Sequence, residues 1–143
     1  MERDETIKLL RECNAGVKMG VASLDENLDK VNDGKLASLL KECKDKHEEL
    51  GDKTHSLLLE YNEEGKEPNP MAQVMSWFKT NMTMTDDLDS KIADVITDGC
   101  NMGIKSLHRY LNQYPKAEKR VRDIAKNLAD IEEKLVIDIR PYL

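Results

Sequence analysis

The side chains able to do chemistry are few and scattered. Three histidines and three cysteines occur in 143 residues, and none falls in a C-x-x-C, an H-E-x-x-H, a glycine-rich phosphate loop or a serine-centred elbow. His47 comes first, because it stands on the apolar seam of a helical pattern, where an imidazole either holds a metal or a proton or is hydrogen-bonded as part of the core. Asn14 and Thr54 interrupt seams of the same kind. His55 and His108 fall off the seams and read as solvated. Cys43 and Cys100 lie on apolar stripes and Cys13 beside one, so the thiols read as small reduced core residues rather than nucleophiles, disulfides or a zinc knuckle. The one basic cluster, Lys116, Lys119, Arg120 and Arg122, is interrupted by Glu118 and reads as a solvated face.

Those positions have meaning only on the elements that carry them. With aromatics at 4% and charged residues at 35%, the composition suits long amphipathic helices and argues against a β-sandwich or barrel. The length allows one domain, residues 1–143. A net charge of −6 argues against nucleic acid as a partner. With no long uncharged apolar run and no apolar leader, neither a membrane span nor a secretory signal is expected, and the location expected is cytoplasmic.

Apolar residues recur at steps of three and four along Ile7, Leu10, Asn14, Val17, Val21, Leu24, Leu28 and Val31, which predicts a first helix ending near Val31 or Asn32, with Gly34 taking a positive φ. A second seam runs Leu36, Leu40, Cys43, His47, Leu50, Thr54, Leu57 and Tyr61 and stops at Glu63-Glu64-Gly65. Pro68-Asn69-Pro70 then opens a connector with a short amphipathic helix over Met71–Lys79. Its methionines, with Trp77 and Phe78, cap the bundle's end or dock a protein partner. A connector of about 20 residues can run the length of a helix of about 42 Å, so the second and third helices can be parallel. Thr85 or Asp86 caps a third helix running to about Gln113; Pro115 opens a fourth that carries Val121, Ile124, Leu128, Ile131, Leu135 and Ile139 and ends at Pro141.

The strongest internal signal is a repeat. Gly16, Met19, Gly20, Ser23, Leu24 and Leu28 recur as Gly99, Met102, Gly103, Ser106, Leu107 and Leu111, an offset of 83, and Asp45, Glu48 and Leu50 recur as Asp130, Glu133 and Leu135, an offset of 85. The repeat implies two helical hairpins of one plan joined by a long crossover. Glycine inside a helix costs about 1 kcal/mol relative to alanine. G-x-x-x-G at Gly16/Gly20 and at Gly99/Gly103 therefore predicts that the first and third helices cross there, backbone nearly against backbone, about a pseudo-twofold axis.

On these residues, with Trp77-Phe78-Lys79 and the run Asp98-Gly-Cys-Asn-Met-Gly-Ile-Lys-Ser-Leu, nearly the whole chain resembles the ferritin-like superfamily, and within it a branch of small bacterial four-helix proteins of uncharacterised function. The resemblance implies an all-α, ferritin-like four-helix bundle. It also implies where a diiron centre would lie: a Glu on each of the first and third helices and a Glu-x-x-His on each of the second and fourth. This sequence departs from that set. His47 matches a ligand position, but Lys44 stands three residues before it; the first helix offers Asn14, the third Thr97 and then Asp98, the fourth Ala129 and Glu132. His47, Asp98 and Glu132 are too few for two cations.

The expectation is thus a degenerate site in a non-catalytic binding or structural module with no cofactor, in which Asn14, His47, Thr54 and Thr97 form a hydrogen-bonded polar core layer. The alternative is a metal-binding protein or oxidoreductase with one divalent ion (Fe, Mn or Zn) on His47, Asp98 and Glu132, completed by Glu48 or Asp94. A homodimer through an outer helix face is compatible with either.

Overall fold

A computed structural model describes residues 2–63 and 88–143. The expected connector helix over Met71–Lys79, the Pro68–Pro70 break and the Thr85 or Asp86 cap lie outside these residues. Four helices make up the described fold: α1 (Glu2–Leu28), α2 (Gly34–Glu60), α3 (Leu88–Gln113) and α4 (Lys119–Asp138), followed by a 3-10 turn at Arg140–Tyr142 that holds Pro141. None of the described helices is long and apolar enough to cross a membrane.

Local chemistry sets the helix ends. Glu2, Asp4 and Glu5 place acids in the first turn of α1, against the positive end of its dipole. The connection after α1 is longer than the spacing predicts: the helix stops at Leu28, and Asp33 caps α2 by accepting from the N–H groups of Lys35 (2.9 Å) and Leu36 (3.0 Å). Gly34 is therefore the first residue of α2 and not a left-handed terminator; no described glycine has a positive φ. The left-handed residue is Asn62 (φ 57°), and its N–H bonds Leu59 O (3.0 Å) while that of Glu63 bonds Leu58 O (2.9 Å), closing α2 in a Schellman arrangement. The fourth helix starts at Lys119, four residues later than Pro115.

Contacts between the ends give the topology. Asp89 at the start of α3 accepts from the N–H groups of Asn32 and Asp33 (2.8 Å each), just before α2. At the opposite end, Thr6 Oγ1 accepts from the N–H of Glu118 (2.8 Å), Glu5 accepts from the N–H of Lys116, and the hydroxyl of Tyr61 donates to Glu118. Helices α2 and α3 therefore run in the same direction, with the end of α2 and the start of α3 at opposite ends of the bundle. Each hairpin's loop is clamped by the first turns of the other hairpin. Replacing Asp89 by alanine frees two backbone donors and is expected to cost about 1–2 kcal/mol, read as a lower urea midpoint with unchanged m-value.

The buried stripes meet in two apolar clusters. One joins Leu9, Leu10, Cys13 and Val17 of α1 to Leu50 and Leu58 of α2, Leu107 and Leu111 of α3 and Val121 to Ala129 of α4. The other joins Leu24, Leu36, Leu40, Cys43, Ile92, Val95, Ile96, Cys100, Leu135, Val136 and Ile139. On each helix the buried residues of the two clusters flank one of four positions: Val17 and Leu24 flank Gly20, Cys43 and Leu50 flank His47, Cys100 and Leu107 flank Gly103, and Ala129 and Leu135 flank Glu132.

Candidate functional site

Those four residues form a polar waist across the bundle. His47 is 1% exposed and Glu132 is 8% exposed, both from the inward faces of their helices. His47 Nε2 lies 3.4 Å from Glu132 Oε1, a long contact held mainly by charge. The other ring nitrogen, Nδ1, is 2.8 Å from the carbonyl oxygen of Cys43, one turn earlier in α2, and 3.5 Å from its sulfur. The carbonyl can only accept, so Nδ1 carries a proton. A second proton on Nε2 makes the ring an imidazolium facing a carboxylate.

Burial pushes the imidazole pKa down, but hydrogen bonds to Cys43 and Glu132 outweigh it and hold it up at about 10. For Glu132, burial dominates and raises the carboxyl, with the hydrogen bond and charge of His47 pulling the other way. Both shifts are upward, one favouring the charged imidazole and the other the neutral carboxyl, as one buried pair sharing protons requires, and its charged form is stabilised only while both partners are present.

The glycines explain why such large polar groups fit. A Cβ built on Gly20 would stand 2.7 Å from His47 Cδ2 and 2.9 Å from Nε2; one built on Gly103 would stand 2.5 Å from Glu132 Oε2. Each glycine is a notch in the facing helix that receives one member of the pair. This corrects the expected crossing of α1 and α3. A Cβ on Gly16 would meet Leu128 Cδ2 at an ordinary 3.9 Å, and one on Gly99 would meet no described atom within 4 Å. The tight helix approach that does occur is at Gly51, where a Cβ would be 2.8 Å from Val17 Cγ1. Gly103→Ala should therefore destabilise by about 1–3 kcal/mol through displacement of Glu132, although alanine is the better helix former. Gly99→Ala should stabilise by about 0.5–1 kcal/mol; paired urea titrations check both signs.

The expected ligand set is not brought together. His47 and Glu132 meet, but Asp98 is exposed, as are Asp94 and Glu48. Asp98 sits on the outer side of α3, because the inward positions there belong to Val95, Ile96 and Cys100. Among the described residues no three His, Cys, Asp or Glu side chains are placed to hold a metal ion. Lys44 turns outward to Asp25 (2.9 Å).

The expected single polar layer is likewise redistributed. Thr54 Oγ1 donates to Asn14 Oδ1 (2.8 Å), but this pair lies within one apolar cluster, two turns of α2 away from His47. Thr97, 83 residues after Asn14, lies on the other side of the waist because α3 runs opposite to α1. Its Oγ1 is buried with no hydrogen-bond partner among the described residues. Cys13, Cys43 and Cys100 are buried free thiols. Burial first, then the nearby carboxylate of Glu12, pushes Cys13 up to about 12; burial first, then Glu132, also pushes Cys100 up. Neither is a nucleophile at neutral pH.

Sequence reasoning overlooked the clamps, Thr6 and Asp89, and it joined His47 to Glu132 only through an ion shared with Asp98, not in direct contact. Thr6 and Asp89 differ by 83, as do Gly20 and Gly103; Asp33 and Glu118 differ by 85, as do His47 and Glu132. Comparison of the chain with protein-family models, with curated proteins and with solved structures finds no match.

Proposed function

We propose that this chain is a ferritin-like bundle of two duplicated hairpins whose diiron centre has been replaced by a buried ion pair, and that it serves in the cytoplasm as a non-catalytic binding or structural module. The observation that carries the reading is the waist: the place between the helices where two cations would sit holds one imidazole and one carboxylate that neutralise each other. A dimetal centre needs several anionic oxygens, and the residues present do not fit one. His47 Nε2, the nitrogen free to ligate, is turned on Glu132, and Nδ1 is committed to a carbonyl. The equivalence of contacts at the same two offsets supports the duplication. The Thr6–Glu118 and Asp89–Asp33 clamps and the two notches obey it.

Elemental analysis of protein produced with added iron, zinc and manganese and then desalted tests the proposal, with His47→Ala and Glu132→Ala run alongside. The expected result is no stoichiometric metal in any of the three. One ion per chain in the wild type, lost from both variants, would overturn the reading in favour of a metal-handling protein or oxidoreductase.

A further inference from the structure

The outward face of α3 departs from the rule that α2 and α4 follow. On those helices solvated charges pair one turn apart, Lys41 with Asp45, Lys46 with Glu42, Lys119 with Asp123 and Lys134 with Asp138. On α3 the charges one turn apart repel: Asp94 stands four residues before Asp98, and Lys105 four before Arg109. All four are exposed, and none makes an ion pair among the described residues. Between the two like pairs lies Met102, at 65% the most exposed large apolar side chain among the described residues. Gly99, one turn before it, is exposed, and a Cβ built there would meet no described atom within 4 Å. The same Gly-x-x-Met spacing on α1 is covered: Leu128 lies 3.9 Å from a Cβ on Gly16, and Met19 is half-buried.

Steps of four, four, three and four residues put Asp94, Asp98, Met102, Lys105 and Arg109 on one stripe of the helix. The helix dipole does not account for their order, acids first and bases last. Its effect is confined to the end turns, and Asp98 and Lys105 both stand more than two turns from either end of α3. A second copy does account for it. The midpoint between Asp98 and Lys105 is also the midpoint between Asp94 and Arg109, so turning the stripe end for end exchanges acid for base at every charged position. An antiparallel contact about a twofold axis therefore opposes unlike charges throughout, whereas a parallel one opposes like to like.

We propose that the outward face of α3 is a self-complementary docking surface for a second copy of this chain, packed antiparallel about a twofold axis beside Met102, with Asp98 of each copy meeting Lys105 of the other and Asp94 meeting Arg109. One surface supplies both halves of the contact, as an isologous dimer requires. The two Met102 side chains lie together at its centre, and the charges that repel along each helix are neutralised across the pair. A single helix face with one apolar residue at its centre makes a small, polar contact, so the dimer is weak and salt-sensitive.

Sedimentation equilibrium of the full-length chain over a range of concentrations tests this. In about 0.05 M salt the average mass is expected to rise with concentration from 16.3 kDa towards about twice that value, with the dissociation constant about tenfold larger in about 0.5 M salt. Two variants then test the face. Asp94→Lys/Asp98→Lys makes the stripe wholly basic and Lys105→Glu/Arg109→Glu makes it wholly acidic; all four positions are exposed, and circular dichroism checks that each variant keeps its helices. Each alone is expected to stay monomeric where wild type dimerises, and the two mixed at equal concentration are expected to form a heterodimer tighter than the wild-type dimer. A wild type that stays monomeric at every concentration, variants that dimerise as wild type does, or a mixture that remains monomeric would overturn the proposal. None of these residues touches the waist, so failure here leaves the metal analysis standing.

Discussion

Replacing His47 by leucine is expected to lower stability by about 3–5 kcal/mol at pH 7, and replacing Glu132 by leucine as well is expected to recover most of it. Leucine is close in size to the imidazole and sits next to Leu50 and Cys43, so the loss does not come from an empty core position. It comes from Glu132, left buried with a charge that nothing opposes and with Oε2 already lacking a partner among the described residues. The single variant should therefore regain stability as the pH is lowered into the carboxylate range, where Glu132 takes a proton. Removing both charges exchanges an ion pair for apolar contact, and the double variant is expected within about 1 kcal/mol of wild type or above it. A double variant as unstable as the single one would mean that shape at the waist outweighs charge. Urea unfolding at pH 7 and pH 4.5 distinguishes the cases.

Wild-type stability is expected to fall as the pH rises from about 6.5 to 9, by up to about 1.4 kcal/mol per pH unit. The sign comes from the direction of each shift. His47 is held at about 10 in the folded state against about 6.5 unfolded, so it binds a proton more tightly when folded; its contribution is complete below 6.5 and lost as the pH climbs towards 10. Glu132, raised above its ordinary value by burial, acts in the same direction at lower pH. The thiols of Cys13 and Cys100 are also raised, but their ordinary value is near 9, so they add to the loss only above that. The interval from 6.5 to 9 therefore belongs to His47. A series of urea melts should show the slope in wild type and its absence in the His47→Leu/Glu132→Leu double variant. A flat wild-type profile would place a neutral imidazole at the waist.

The seams made most of the core legible in the sequence. Along α2, Leu36, Leu40, Cys43, His47, Leu50 and Thr54 are all buried as their spacing requires, because periodicity reports which face of a helix turns inward. Helix ends are less legible: α1 stops at Leu28, and the loop that follows it is held at Asn32 and Asp33 by Asp89, which is remote in sequence. Glu132 lies one residue past Ile131, off the apolar seam of the fourth helix, where a carboxylate is normally solvated. Its burial depends on the notch at Gly103 in a different helix, which no pattern within α4 can reveal. The glycines themselves were read as sites of helix contact because G-x-x-x-G is the same whether the bare backbone meets a helix or a side chain. Which it meets is decided by the residue opposite.

The reciprocal clamps have a kinetic consequence. Glu118 and Lys116 are held by residues of α1, and Asn32 and Asp33 by a residue of α3, so opening either hairpin's first turn frees backbone donors in the other hairpin's loop. Neither hairpin can fray at its loop while its neighbour stays closed without leaving those donors exposed. Amide hydrogens on both sides of the waist are thus expected to exchange through one shared opening, as in a single cooperative unit, although the apolar core is split in two.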